Sequence, residues 1–261
     1  MRQRVITAVI ALILFIPVIF IGGITLDIVA MVLGVIAMGE LLIMRKKLLI
    51  SFEALISMLA VMIEIAPNQW FNGLPDQLNK AYVVYFLIIL LLLRTVWSRN
   101  RFSFDDAGML TLGIFYIGMG FNYFTAARGV NVEMLLYLLF IVWATDSGAY
   151  SVGRKLGQHK VTPISPNKTW EGCIGGSVIG VVIGMAFALW FQVGYTNWFS
   201  MLAITIILSI VGQFGDLVES ALKRYYGVKD SGKILPGHGG ILDRFDSMLL
   251  VFPIAHLFGL F

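Results

Sequence analysis

The chain has 261 residues, of which 59% are hydrophobic and only 13% charged, and its mean hydropathy is +0.87. This composition excludes an ordinary soluble globular domain and is typical of a polytopic membrane protein. The net charge is only +4, and no nucleic-acid partner is expected. The single cysteine, Cys173, excludes an intramolecular disulfide.

The apolar segments follow one another along the whole chain. The first is not followed by a small-residue cleavage site, so we predict a retained helix rather than a signal peptide. Several apolar windows reach the roughly 20 residues that cross a hydrocarbon core. The predicted spans lie near residues 5–21, 27–44, 51–66, 81–97, 107–125, 132–152, 172–194, 198–222 and 243–260. The predicted fold is therefore all-α, with about nine transmembrane helices.

The positions of the basic residues predict the orientation in the membrane. With a cytoplasmic N-terminus and nine alternating spans, 17 of the 19 Lys and Arg residues lie on the cytoplasmic side, and only Lys80 and Arg128 lie outside. This asymmetry follows the positive-inside rule, supports the count of nine and places the C-terminus outside. A short chain without a transit peptide also suits a bacterial inner membrane.

The two halves of the chain differ in character. Residues 1–129 are mostly apolar helix with short connections, and we interpret them as an N-terminal transmembrane region. Residues 130–261 contain two long connections, 153–171 and 223–242, both rich in Gly, Pro, Lys and Arg and both predicted to be cytoplasmic. Because ionisable groups at membrane depth are costly and usually functional, we expect the catalytic region in this second half.

The first candidate site motif lies at the end of the eighth predicted span. Asp216, Glu219, Ser220 and Lys223 share one helical face. Two like charges one turn apart favour a neighbouring cation, which is either a divalent metal or Lys223. A helix end that reaches water, with Glu219 paired to Lys223, explains this motif alone equally well.

The second motif begins the last predicted span. Asp243 and Asp246 share a face there, with Arg244 between them. A helix cap explains one acid but not two acids and an arginine that lead directly into an apolar helix. If the last two spans pack together, Asp216, Asp243 and Asp246 could converge from two helices. Three carboxylates suit magnesium, which keeps waters and takes phosphate oxygens for its remaining positions.

The loop between these motifs is rich in glycine and basic residues. Its glycines allow close backbone approach, and with the neighbouring cations they could form an anion cradle, although a simple turn is the plain alternative. The residues concerned are Lys229, Lys233, Gly237, His238, Gly239 and Gly240.

The fourth motif runs from Asp146 to Glu171. Asp146 lies near the cytoplasmic end of the sixth predicted span, and several donors that suit phosphate or ribose hydroxyls follow it. An ordinary positive-inside loop is the alternative. The candidate substrate-binding residues of this stretch are Asp146, Ser165, Asn167, Lys168, Thr169 and Glu171.

These motifs resemble those of the CDP-diacylglycerol synthases, also called phosphatidate cytidylyltransferases. The C-terminal signature of that family is matched without departure over 27 positions, and the 146–172 stretch also resembles the family, with Asn167 where Lys is common. The N-terminal half resembles the family only in being a set of apolar helices. The matching C-terminal residues are Ser220, Lys223, Arg224, Lys229, Asp230, Pro236, His238, Gly239, Gly240, Asp243, Arg244 and Asp246.

The resemblance implies a reaction in which CTP and phosphatidic acid give CDP-diacylglycerol and pyrophosphate, in phospholipid biosynthesis. It implies magnesium dependence, a site on the cytoplasmic face and a homodimer in the membrane. It also implies a metal centre at Asp216, Asp243 and Asp246, with a second cation nearby. Glu219, one helical turn from Asp216, is a further candidate metal ligand.

The residues then take predicted roles in an in-line attack of the lipid phosphate on the α-phosphorus of CTP. A metal would reduce the repulsion between two polyanions, and arginine can bind phosphate with two hydrogen bonds. A phosphate monoester is already mostly ionised near neutral pH, so His238 is expected to position or donate rather than to act as a base. The predicted phosphate-binding cations are Lys223, Arg224, Lys229 and Arg244, and Ser220, Asp230, Gly239 and Gly240 are further predicted substrate contacts.

Two alternatives stay open from the sequence. A related enzyme that transfers CMP to an isoprenoid-ether lipid phosphate would share this chemistry and differ only in lipid specificity. An ion-coupled transporter could use Asp146, Asp216 and Glu219, but these acids cluster near one face and no internal repeat is visible.

Overall fold

A computed structural model describes residues 2–73, 75, 78–194 and 197–261. Over these residues the chain forms nine α-helices, one short 3-10 helix at Asn68–Phe71 and no β-strand, which confirms the all-α prediction. The helices are α1 (Arg2–Ile21), α2 (Gly23–Met44), α3 (Phe52–Ile65), α4 (Lys80–Trp97), α5 (Phe104–Val130), α6 (Val132–Leu156), α7 (Trp170–Phe191), α8 (Trp198–Tyr225) and α9 (Leu242–Leu257).

Polar side chains mark where six of these helices begin. Each accepts a hydrogen bond from a backbone amide of the first turn, which satisfies a donor that the helix itself leaves unpaired. At α6, for example, Asn131 Oδ1 accepts from the Met134 amide at 2.6 Å. The six capping residues are Ser51, Asn79, Ser103, Asn131, Thr169 and Asn197.

Six of the helices are long and apolar enough to cross a membrane, by length and composition: α2, α4, α5, α6, α7 and α8. The prediction of a polytopic membrane protein is therefore confirmed, whereas the count of nine spans and the side of each terminus stay predictions. Every predicted segment does correspond to a helix within the described residues. The two polar connections are shorter than predicted, because α6 continues to Leu156 and α8 to Tyr225.

The first compact unit comprises Met1–Thr125 and Asp230–Leu242. Within it, α2 packs against α3 and α3 against α4. Close contact between α2 and α5 depends on Gly113, where an added Cβ would lie 2.5 Å from Leu41 Cδ2. At the end of α2, the Asp106 carboxylate accepts hydrogen bonds from Arg45 Nε at 2.6 Å and Lys47 Nζ at 2.9 Å.

The second compact unit comprises Ala126–Lys229 and Asp243–Phe261. Helices α6 and α7 pack along a row of glycines at every fourth position of α7. An added Cβ at Gly176 would lie 2.6 Å from the Thr145 carbonyl oxygen, so only glycine permits this spacing. Small residues allow membrane helices to approach closely in this way. The row consists of Gly172, Gly176, Gly180 and Gly184.

Buried hydroxyl groups also connect the helices of the second unit. The Tyr137 and Thr205 hydroxyls lie 2.7 Å apart, and those of Thr145 and Ser209 lie 2.8 Å apart. In a lipid environment such polar groups need protein partners, and these pairs join α6 to α8. The predicted division of the chain into a transmembrane region, 1–129, and a catalytic region, 130–261, stays a prediction.

Candidate active site

The close approach of α8 and α9 creates the centre of the candidate site. Gly215 has no side chain where the α9 backbone passes, and an added Cβ would lie 2.6 Å from the Asp246 carbonyl oxygen and 2.7 Å from Ser247 Cα. Asp216 is the next residue on α8. The glycine therefore brings Asp216 and Asp246 together from two different helices, as the sequence predicted for these two acids.

A lysine that is only 14% exposed lies between two further carboxylates. Lys223 Nζ is 2.7 Å from Asp243 Oδ1 and also forms an ion pair with Glu219. The side chains of Glu219 and Asp243 are only 0% and 8% exposed. The Glu219–Lys223 pair named by the alternative interpretation is present, but both of its members lie mostly inside the protein.

A second lysine reaches Asp216 from the loop before α7. Lys168 Nζ lies 2.8 Å from Asp216 Oδ2 and donates a hydrogen bond to the Gln213 carbonyl oxygen at 3.0 Å. Ser220 Oγ donates to Asp216 Oδ1 at 3.3 Å. The loop residue Lys168, predicted as a substrate contact, is thus placed directly at the acidic pair.

The charges of this region are unevenly balanced. Asp146, at the cytoplasmic end predicted for the sixth span, acts electrostatically on Asp216 and Asp246. Lys168 attracts Asp146 and Asp216, and Lys223 attracts Asp246. Lys223 also compensates the negative charges of Glu219 and Asp243, with which it forms ion pairs. Glu219 Oε1 is also buried without a hydrogen-bond partner among the described residues.

This donor set fits a hard divalent cation, because carboxylate oxygens are the ligands such ions prefer and the acids outnumber the bases. Within the described ranges, however, no three acidic, histidine or cysteine side chains already converge at ion-binding distance. Binding of magnesium by Asp216, Asp243, Asp246 and Glu219 therefore stays a prediction, and so does a second cation.

The loop between α6 and α7 is held by its own side chains. The Glu171 carboxylate accepts hydrogen bonds from the backbone amides of Gln158 at 3.1 Å and His159 at 3.2 Å, and it pairs with the His159 ring at 2.5 Å. Thr169 is 4% exposed and caps α7 by accepting from the Gly172 amide at 3.2 Å. Direct substrate binding by Thr169 and Glu171 stays a prediction, since both already have local structural roles.

The other predicted substrate contacts of this unit lie around the same loop. The Ser165 carbonyl accepts from the Lys168 amide at 3.0 Å, which forms the turn that carries exposed Asn167. Arg224 Nε donates to the Ile164 carbonyl at 3.3 Å and so ties the loop to α8. Arg224 is exposed, as are Lys229 and Arg244, and all three offer cationic groups to a polyanionic ligand.

The Gly-rich segment Asp230–Leu242 belongs to the first compact unit. Gly237 and Gly239 have φ angles of 78° and 84°, a region that favours glycine, and they form a tight turn. In that turn the His238 amide donates to the Leu235 carbonyl at 2.8 Å and the Leu235 amide to the Gly239 carbonyl at 3.0 Å. The predicted contacts Asp230, His238, Gly239 and Gly240 all lie in this segment.

Sequence reasoning missed the residue that holds this segment. Glu40, on α2, is 1% exposed and accepts hydrogen bonds from the backbone amides of Ile241 at 2.8 Å and Leu242 at 2.9 Å. A signal was present, because Glu40 is an isolated acid inside an apolar helix, where a charge is costly unless it has partners.

Comparison with known proteins shows the family of the chain. The model of the cytidylyltransferase family matches residues 2–261. The chain belongs to the cytidylyltransferase family. The chain is also 46% identical over 261 residues to a protein of Staphylococcus haemolyticus (strain JCSC1435) named phosphatidate cytidylyltransferase, with 98% of each chain covered.

Two other relatives carry the same name. The Bacillus subtilis (strain 168) protein is 46% identical over 260 residues, which cover 98% of this chain and 96% of the relative. The Staphylococcus aureus (strain COL) protein is 44% identical over 261 residues, with 98% of each chain covered. The family resemblance that the motifs indicated is confirmed, and it extends across the apolar N-terminal half as well.

Proposed function

We propose that this membrane protein is a phosphatidate cytidylyltransferase, which converts CTP and phosphatidic acid into CDP-diacylglycerol and pyrophosphate in phospholipid biosynthesis. The proposal is supported by family membership over the whole chain and by relatives of that name at 44–46% identity. The structural observation that carries it is the close α8–α9 contact at Gly215, next to which Asp216 pairs with Lys168 and Asp243 pairs with Lys223.

The reaction joins two polyanions, so its main requirement is charge compensation. The lipid phosphate attacks the α-phosphorus of CTP in line, a new P–O bond forms, and the bond to pyrophosphate breaks. The attacking phosphate monoester is already mostly ionised near neutral pH, so the protein need not supply a strong base. Exposed Arg224, Lys229 and Arg244 would bind phosphate oxygens, and arginine can do so with two parallel hydrogen bonds.

Lys223 has a different role in this proposal from the one predicted from the sequence. Its ammonium group is already engaged by Glu219 and Asp243, and it is only 14% exposed. Lys223 would therefore fix the orientation of Asp243 and compensate the charge of Glu219. A phosphate could reach Lys223 only after one of these carboxylates had found another partner.

We also propose magnesium as the cofactor, held by Asp216 and Asp246 with Asp243 and Glu219 as further ligands. The bound ion would neutralise the charge that develops on the phosphates. Membrane insertion with the site on the cytoplasmic side of a bacterial inner membrane, and assembly as a homodimer, belong to the same proposal.

The direct test is a substrate panel with the purified protein in detergent. Labelled CTP and magnesium are incubated with phosphatidic acid, with an isoprenoid-ether lipid phosphate, or with no lipid, and the labelled lipid is extracted and identified. We expect CDP-diacylglycerol from phosphatidic acid only. Product from the ether lipid alone would reassign the lipid substrate, and no product from any lipid phosphate would refute the proposal.

A further inference from the structure

Glu40 accepts hydrogen bonds from three groups of one distant segment. Besides the Ile241 and Leu242 amides, the Ser231 hydroxyl donates to Glu40 Oε2 at 3.0 Å. Ile241 binds Oε1 and Leu242 binds Oε2, so both oxygens of the carboxylate are used. All of these residues belong to the first compact unit, and the segment lies about 190 to 200 residues further along the chain.

The segment is shaped to receive this carboxylate. An added Cβ at Gly232 would lie 2.6 Å from Glu40 Oε1 and 3.0 Å from Glu40 Cγ. An added Cβ at Gly240 would overlap both carboxylate oxygens. The backbone therefore closes around the Glu40 side chain at two glycines, and no larger residue fits at either position without displacing it.

The chemistry of the contact explains why an acid is needed. Leu242 is the first residue of α9, and the first amides of a helix have no partner within the helix. A carboxylate offers several lone pairs and carries the negative charge that a helix N-terminus favours. A glutamine of the same size would present an N–H₂ group to one of these N–H donors.

We propose that Glu40 is a positioning residue for cytidylyl transfer: it holds Ser231–Leu242 in the conformation that the reaction requires. This inference rests on the proposed function. The segment contains His238 and Gly239 of the family motif, and the predicted metal ligand Asp243 follows Leu242 directly in the chain. Glu40 itself does not act as an acid or base, because both of its oxygens are occupied by protein donors.

Kinetics of Glu40 variants test the positioning role. Because a misplacement of about 1 Å can cost roughly 100-fold in rate, we expect Glu40→Gln to lower kcat about 100-fold in the folded, monodisperse fraction. Glu40→Asp keeps the charge but is one methylene shorter, and it should retain more activity than Glu40→Gln. The matched control is Glu133→Gln, in the first turn of α6, which should behave as wild type.

A purely structural role gives a different pattern. In that case Glu40→Gln would reduce the amount of folded protein, while kcat per folded molecule and KM for CTP would stay at wild-type values. That result would overturn the proposal. Wild-type activity in both Glu40→Gln and Glu40→Asp would also overturn it.

A double-mutant cycle provides an independent test of the contact. Gly232→Ala should lower kcat by displacing the carboxylate, whereas the same change should have little further effect when Glu40 is already Ala. Gly108→Ala is the control, since an added Cβ there meets nothing within 4 Å. Strictly additive effects of Gly232→Ala and Glu40→Ala would contradict the proposed contact.

Hydrogen exchange separates this inference from the proposed function. The amides of Ile241 and Leu242 should be protected in the wild type and exchange at least tenfold faster in Glu40→Gln. Unchanged exchange of these two amides in Glu40→Gln would overturn the proposal that Glu40 holds the segment, even if the enzyme is active. A wild-type protein without cytidylyl transfer would refute the proposed function, and the exchange result would still decide whether Glu40 holds the segment.

Discussion

Replacing Gly215 by alanine tests the geometry of the candidate site most sharply. The added Cβ would lie 2.7 Å from Ser247 Cα and 2.6 Å from the Asp246 carbonyl oxygen. Because non-bonded carbons are normally at least about 3.5 Å apart, α8 and α9 must separate by about 0.8 Å. Both obstacles are backbone atoms, so no side-chain rotation can relieve the contact.

This separation would act directly on the acids that we place at the reaction centre. Asp216 and Asp246 adjoin the contact, so the distance between their carboxylates should increase by a similar amount. A displacement of about 1 Å can cost roughly 100-fold in rate, and overpacking typically costs about 1–3 kcal/mol in stability. We therefore expect Gly215→Ala to fold and to lose about 100-fold in kcat.

The chain provides a matched control one turn earlier. At Gly212, also on α8, an added Cβ would lie 3.4 Å from Val251 Cγ2, which is ordinary contact. Both changes raise helix propensity equally, by about 1 kcal/mol. The assay is CDP-lipid formation per folded protein at saturating CTP and lipid. Wild-type activity of Gly215→Ala, or equal losses in the two variants, would refute the reasoning.

Three further predictions follow from the second compact unit. Lys223→Met should leave Glu219 as an uncompensated buried charge and lower the free energy of unfolding by about 3–5 kcal/mol, which is measured as an earlier unfolding transition in detergent. The double variant with Glu219→Gln should regain part of this stability but not the activity. Gly180→Ala should place a methyl group against Thr145 Oγ1 and reduce folded yield, and Thr145→Ala should partly restore it; an unchanged yield in the single variant would contradict the glycine packing of α6 and α7. Chelation of divalent metal should abolish turnover and added magnesium should restore it, whereas persistent turnover in excess chelator would remove the metal from the mechanism.

Local patterns in the sequence predicted much of this fold. The apolar runs of the sequence predicted where the helices lie. This was possible because whether a segment can cross a membrane depends on its own length and composition. The helix ends were less accurate, since α6 and α8 continue beyond their apolar windows into polar residues. The glycine row of α7 was visible in the sequence, but its partner helix was not.

In the candidate site, too, the local arrangement was predictable from the sequence and the long-range contacts were not. The i, i+3 and i, i+4 spacings placed Asp216, Glu219 and Lys223 on one helical face, and the structure shows them there. The contact of Lys168 with Asp216 joins residues 48 positions apart, and that of Glu40 with Ile241 joins residues 201 apart. No local period encodes such contacts, so they became visible only in the folded chain.

The central claim is that Asp216 and Asp246 together support magnesium-dependent cytidylyl transfer to phosphatidic acid. The most direct measurement is the rate of CDP-diacylglycerol formation against magnesium concentration for wild type, Asp216→Asn and Asp246→Asn, with exposed Asp105→Asn as the control. We predict a magnesium-dependent rate in wild type and Asp105→Asn, and no product above background in the other two, although both remain folded. Normal rates in Asp216→Asn and Asp246→Asn would contradict the assignment of the reaction to this site.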